Sequence, residues 1–160
     1  MYSTKLVKNR FKIICIALVN QVSGLELVVD TGARYTCCNY KFIDTSLRED
    51  DFVNCEKKEL TGFVKGKSLI FYKYHVRQFT IGNIDIGSQD IWITFDDLIG
   101  DAVLGMDLLS KISFLHIENI SKLLFFKDTA ELYQFTKSED VKNLAAAYNN
   151  LINNKTGSQD

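Results

Sequence analysis

Four consecutive residues carry the densest chemical signal in the chain: Asp30, Thr31, Gly32 and Ala33. They follow the apolar stretch Leu27-Val28-Val29, so a carboxylate meets the end of a buried strand. Gly32 lets the backbone turn tightly just past the acid. The Thr31 hydroxyl, a donor and an acceptor, can lock the loop. A carboxylate held at such a point is suited to proton transfer. The same residues also fit an ordinary strand-to-turn junction, where Asp is common. Asp44-Thr45 and Asp128-Thr129 repeat the dipeptide, and neither is followed by Gly. A second element lies far downstream, Asp101-Ala102-Val103-Leu104-Gly105-Met106-Asp107-Leu108-Leu109. It reads as a short apolar strand, a Gly and the start of a helix, which alone is compatible with any strand-to-helix junction.

Taken together and in this order, the two elements resemble the retropepsin family of aspartic proteases. In that family an apolar strand ends in Asp-Thr-Gly-Ala, and a later strand leads through an apolar-apolar-Gly element, often Leu-Gly-Met-Asp, into a helix. The resemblance covers roughly residues 11–126, and the abundance of Lys, Ile and Asn suggests a bacterial member. It implies a mainly β, single-domain acid-protease β-barrel with one short helix after the Leu-Gly-Met-Asp element. Two copies would form one active site. Asp30 matches the catalytic aspartate, and Thr31 the residue whose hydroxyl bridges the two active loops. Gly32 and Ala33 would line the cleft floor, and Val103, Leu104 and Gly105 form the second motif. The family's flap hairpin finds its candidate in Thr61-Gly62-Phe63-Val64-Lys65-Gly66-Lys67, with Gly62, Phe63, Val64 and Gly66 over the substrate. A plain β-turn at that place stays open. Side-chain pockets are expected to be apolar, lined by Ala33, Val64 and Ile99.

There are two departures from the family pattern. Arg34 and Tyr35 stand where Ser, Thr or Asp is usual, and Arg34 could pair with Asp107, meet a substrate carboxylate, or serve a structural ion pair. The chain ends in helical rather than strand sequence, so its dimer interface should differ from the usual shared sheet of terminal strands.

The chemistry of the residues agrees with the resemblance. Two carboxylates sharing one proton can hydrolyse a peptide without metal or covalent nucleophile, one taking a proton from water while the other gives one to the carbonyl. Such a pair titrates as a unit, because two like charges so close do not both ionise. One chain offers one Asp-Thr-Gly, so symmetry must supply the second Asp30. The expectation is a homodimeric aspartic endopeptidase acting on peptide or protein substrates, with no cofactor and no metal. The alternative is a non-catalytic or weakly active peptide-binding or dimerisation module on the same fold. A small structural β domain with a coincidental motif is a third reading.

Other chemistries find less support. His75 and His116 have no helical i, i+4 partner for a metal and read as structural. Cys37 and Cys38 lack the spacing of a Cys-His nucleophile, and there is no Gly-rich phosphate loop. Lysines and aromatics mix over residues 60–74, yet the net charge is -1, so no nucleic-acid partner is expected. The apolar runs at 13–19 and 25–29 fall short of the about 18 residues of a membrane span, and the N-terminus lacks the pattern of an export signal. A soluble cytoplasmic protein with four reduced cysteines is expected.

The elements that must position these residues are mostly strands. Runs of β-branched and aromatic residues predict strands over 11–19, 25–29, 68–80, 91–95, 102–104, 113–117 and 123–126, with Gly82-Asn83 and Glu118-Asn119 as turns. The run at 11–19 is continuously apolar and reads as fully buried. Helices are expected over 106–111 and 138–154. The second has capping-box spacing at Thr136 and Glu139, and Val141, Leu144, Tyr148, Leu151 and Ile152 share a face. Residues 1–127 are thus expected to form the protease-like domain and 128–160 a helical extension. With 46% apolar residues over 160, one real core is available.

Overall fold

The computed structural model describes residues 1–18, 22–97 and 99–138, together with Lys142, Asn143 and Ala146. The chain is mainly β. In order come β1 (Tyr2–Ser3), β2 (Lys5–Val7), β3 (Arg10–Leu18), β4 (Val22–Val29), β5 (Cys37–Asn39), β6 (Lys57–Val64) and β7 (Lys67–Val76). There follow β8 (Gln78–Ile81), β9 (Ile84–Asp85), β10 (Gln89–Thr94), β11 (Ala102–Leu104), the short helix α1 (Met106–Leu109), β12 (Ser113–Ile117), β13 (Lys122–Phe126) and helix α2 (Thr129–Thr136).

Ten strands form one sheet in the order β6-β7-β10-β5-β11-β4-β3-β8-β9, with β2 added along β3. Among the described residues this path stays open at both ends, so the expected barrel is met as a continuous sheet without closure. Most neighbours are antiparallel, but β11 runs parallel to β4 and β10 parallel to β5. That exception matters for the site. The loop leaving β4 returns as β5, and β11 lies between the two.

β3 is not buried on both sides as its apolar run predicts. Ile13, Cys15 and Ala17 are buried, while Ile14 between them is 55% exposed. Strand alternation puts one face on the core and leaves the other to solvent, because this strand carries a covering layer on one side only. The inward face joins Leu25 and Leu27 of β4, Phe79 and Ile81 of β8, and Leu104 of β11 in the main core. A second apolar cluster gathers Cys37, Leu69, Phe71, Trp92, Ile99 and Val103.

A smaller sheet, β1-β13-β12, uses the N-terminal residues, for which no strand was expected. Helix α2 packs on it, with the Phe135 ring 5.2 Å from that of Phe126. Its N-cap is Asp128, whose carboxylate accepts the Glu131 N–H at 2.8 Å. This helix, over Thr129–Thr136, was not expected, and most of the helix expected over 138–154, including Glu139 of its capping box, lies outside the described residues. No helix among the described residues is long and apolar enough to cross a membrane.

Candidate active site

Asp30 is the first residue past β4. Its N–H donates to the Leu104 carbonyl at 3.1 Å, extending the parallel β4–β11 ladder by one step. Its own carbonyl accepts the Ala33 N–H at 3.1 Å, closing a tight turn. The Gly32 N–H donates to Asp30 Oδ1 at 2.9 Å. The carboxylate thus leaves a buried strand, is aimed by a backbone bond from its own loop, and remains exposed to solvent.

The second motif holds this loop residue by residue. Leu104 receives the Asp30 N–H. The Gly105 N–H donates to Thr36 Oγ1 at 3.0 Å. The Met106 N–H donates to the Ala33 carbonyl at 2.8 Å, and the Asp107 N–H to that of Arg34 at 3.1 Å. The Asp107 carboxylate accepts the Thr36 N–H at 2.9 Å and its hydroxyl at 2.7 Å. Gly105 is required by close approach, since a Cβ there would stand 2.5 Å from the Tyr35 carbonyl carbon. Leu104 is buried behind the loop. The motif read as part of the site is therefore mostly a clamp under it.

A cleft of about 640 Å³ opens over the loop. Asp30, Gly32 and Ala33 line it from below, and Ile99 and Val103 from the side. Gly62 and Phe63 line it from the β6–β7 hairpin, so half of the expected flap meets the Asp30 loop. Gly62 has a φ of +97°, and the hairpin changes register between Leu60 and Val64. That irregularity turns the segment toward the cleft. Val64 and Gly66 do not line it. Val64 packs into the second apolar cluster, and Gly66 sits at the hairpin turn with a φ of +74°. Thr31 is exposed and also outside the cleft lining.

A search of solved structures finds this architecture elsewhere. A retropepsin-like aspartic protease from Rickettsia conorii superposes with a TM-score of 0.58 over 78% of this chain and 88% of that chain, at 16% identity. The fold is retropepsin-like. The protease of EIAV, complexed with the inhibitor HBY-793, aligns with a TM-score of 0.45 over 67% of this chain and 91% of that chain, at 20% identity. No protein-family profile and no curated protein matches the sequence.

Within this retropepsin-like frame several residues stand differently from expectation. Arg34 does not pair with Asp107, whose carboxylate is taken by Thr36 and by the Leu108 N–H. Its guanidinium instead lies 5.4 Å from the centre of the Tyr35 ring. Arg10, which no local signal singled out, and Asp101, which heads the second element, form an ion pair, and both line the cleft. The histidines stand elsewhere: His75 meets Asp90 at 2.9 Å, and His116 meets the edge of Phe11. All four cysteines are unpaired. Burial pushes the Cys15 and Cys38 thiols up to about 12. Cys37 is pushed higher by burial, and further by Cys38, Asp107 and Asp30. A protonated thiol is a poor nucleophile, so the cysteines beside the loop do not offer thiolate chemistry. Among the described residues no group of three or more His, Cys, Asp or Glu is placed to hold a metal ion.

Proposed function

We propose that this chain is an aspartic endopeptidase whose working unit is a C2 homodimer. The observation that carries the reading is the placement of Asp30. Its carboxylate is exposed in a cleft, oriented by the Gly32 N–H, and shares that cleft with the hairpin residues Gly62 and Phe63. Two Asp30 carboxylates brought together by a two-fold axis share one proton, because both cannot carry charge at contact distance. The ionised one takes a proton from water while the protonated one hydrogen-bonds and then protonates the peptide carbonyl. Thr31 lies outside the cleft lining, where its hydroxyl is free to meet the partner's loop.

The substrate lies extended between β-rich walls, its backbone held by strand-type hydrogen bonds. Ala33, Phe63 and Ile99 line the apolar part of the cleft and favour bulky apolar residues beside the cleaved bond. The setting is a reducing cytoplasm, in keeping with four unpaired cysteines. The test is peptide hydrolysis by wild type and Asp30→Asn over a dilution series. Activity lost in the variant, and specific activity falling on dilution of the wild type, support the reading. Turnover retained in the variant refutes the aspartic mechanism. A fully active monomer refutes the shared site. Peptide binding without turnover in the wild type would instead favour the binding module.

A further inference from the structure

Charge is distributed unevenly around the cleft. Arg10 and Asp101 neutralise each other on one side. By the Asp30 loop stand two cations, Arg34 and Lys58, and neither forms an ion pair among the described residues. Both lie against one aromatic ring. The Arg34 guanidinium is 5.4 Å and the Lys58 ammonium 5.0 Å from the Tyr35 centroid, and Lys58 is also 5.1 Å from that of Trp92. Trp92 is 5% exposed and meets Tyr35 edge-on at 5.8 Å, so the platform is anchored in the core. Ring quadrupoles hold cations without cancelling their charge. Two like charges beside one ring raise the local positive potential and leave room for an anion.

Of the nearby acids, Glu56 is within electrostatic reach of Lys58, but its carboxylate is ion-paired to Lys73 at 2.9 Å. Asp107 is occupied by Thr36 and the Leu108 N–H, and Asp101 by Arg10. Glu59 borders the cleft, and among the described residues it forms no ion pair with either cation. It neighbours Lys58 on β6, and successive strand residues point to opposite faces. Arg34 and Tyr35 line the cleft directly, whereas Lys58 does not line it and lies against the same Tyr35 ring and that of Trp92.

We propose that Arg34, backed by Lys58 across Tyr35, determines specificity by receiving an acidic side chain, Asp or Glu, of the bound peptide. The guanidinium fork matches a carboxylate in two parallel hydrogen bonds. The acid sits beyond the apolar residues at the cleaved bond, toward the Tyr35 end of the cleft. The assignment rests on the peptidase reading for turnover, but it is a statement about binding.

The experiment therefore measures binding in the Asp30→Asn protein. Labelled peptides share one apolar core and carry Glu, Gln or Lys at each flanking position in turn, and affinity is read by fluorescence anisotropy. One position is expected where Glu binds about tenfold more tightly than Gln, the size of a charge-assisted hydrogen bond, with Lys weakest. The preference should shrink in about 1 M salt, where charges more than ~3 Å apart are screened. Arg34→Gln and Lys58→Gln should reduce it, Arg34→Lys should keep part of it, Glu59→Gln should increase it, and Arg34→Glu should reverse it. Equal affinity for Glu and Gln at every position, a preference for Lys, a preference that survives Arg34→Gln with Lys58→Gln, or no binding of any peptide overturns the proposal. A wild type that binds acidic peptides but cleaves none leaves the subsite standing and refutes the peptidase reading, so the two failures are distinct.

Discussion

The dipeptide Asp-Thr occurs three times in this chain, and in each case the carboxylate accepts a backbone N–H from its own loop. Asp30 takes that of Gly32, Asp44 that of Ser46, and Asp128 that of Glu131. Locally the three are versions of one device, a short acid closing a turn or capping a helix. What separates them is what lies around them. Asp128 caps the outer helix α2, and Asp44 closes a loop after a 3-10 turn at Tyr40–Phe42. Asp30 alone is tied by its backbone N–H to β11 and opens into the cleft. The three acids share a local hydrogen bond and differ in the frame that surrounds them.

The strongest way to break that comparison is to make the same change in two frames. Asp30→Asn should reduce peptide hydrolysis by about 10³-fold or more, the scale of lost acid–base catalysis. Asp128→Asn should leave it near wild type, because Asn caps a helix as well as Asp. Comparable losses in both would show that Asp30 acts through the fold and not through chemistry.

The frame itself can be attacked next. Gly105→Ala puts a methyl against the Tyr35 backbone. It should cost about 1–3 kcal/mol of stability, as overpacking does, and should disturb the Asp30 loop through the Met106–Ala33 bond. Denaturant midpoints and hydrogen exchange at Gly32 and Ala33 check it. A variant as stable as wild type, with an unchanged loop, would mean that the clamp is slack.

Asp128→Ala should cost ~1 kcal/mol, the usual loss of an N-cap, and confine its effect to α2 and β13. The smallest effect belongs to Asp44. The Ser46 hydroxyl, and then its N–H, hold the Asp44 carboxyl below the usual carboxylate range. A depressed acid contributes stability above its unfolded value, about pH 4, and loses it as pH falls through the folded value. The difference in unfolding midpoint between wild type and Asp44→Asn should therefore be present near neutrality and vanish in acid. A difference that grows on acidification would reverse the assignment.

Much of this was legible in the residues. Alternating and β-branched runs mark most strands of the large sheet, since burial on one face leaves a period of two in the sequence. Gly62 and Phe63 were read as flap residues, and they do line the cleft. Val64 and Gly66, read as flap residues with them by the family resemblance, do not line it: Val64 packs against the second apolar cluster and Gly66 sits at the hairpin turn. Helix α2 itself was not anticipated, because Asp128-Thr129 carries its cap signal without a strong apolar stripe after it.

The amino-acid sequence by itself determined the candidate acid, Asp30, and its immediate setting. An apolar strand, an acid and a glycine suffice to present a carboxylate, and their signals are local. Only the tertiary structure decided what the carboxylate faces and what holds it. The Thr36–Asp107 clamp joins residues 71 positions apart, and the Arg10–Asp101 pair residues 91 apart. The placing of Arg34 and Lys58 on one ring likewise depends on how β6 folds beside the Tyr35 loop. Contacts of that span leave no periodic trace in the chain, because they form only when β11 enters between β4 and β5 and the β6–β7 hairpin lies beside them.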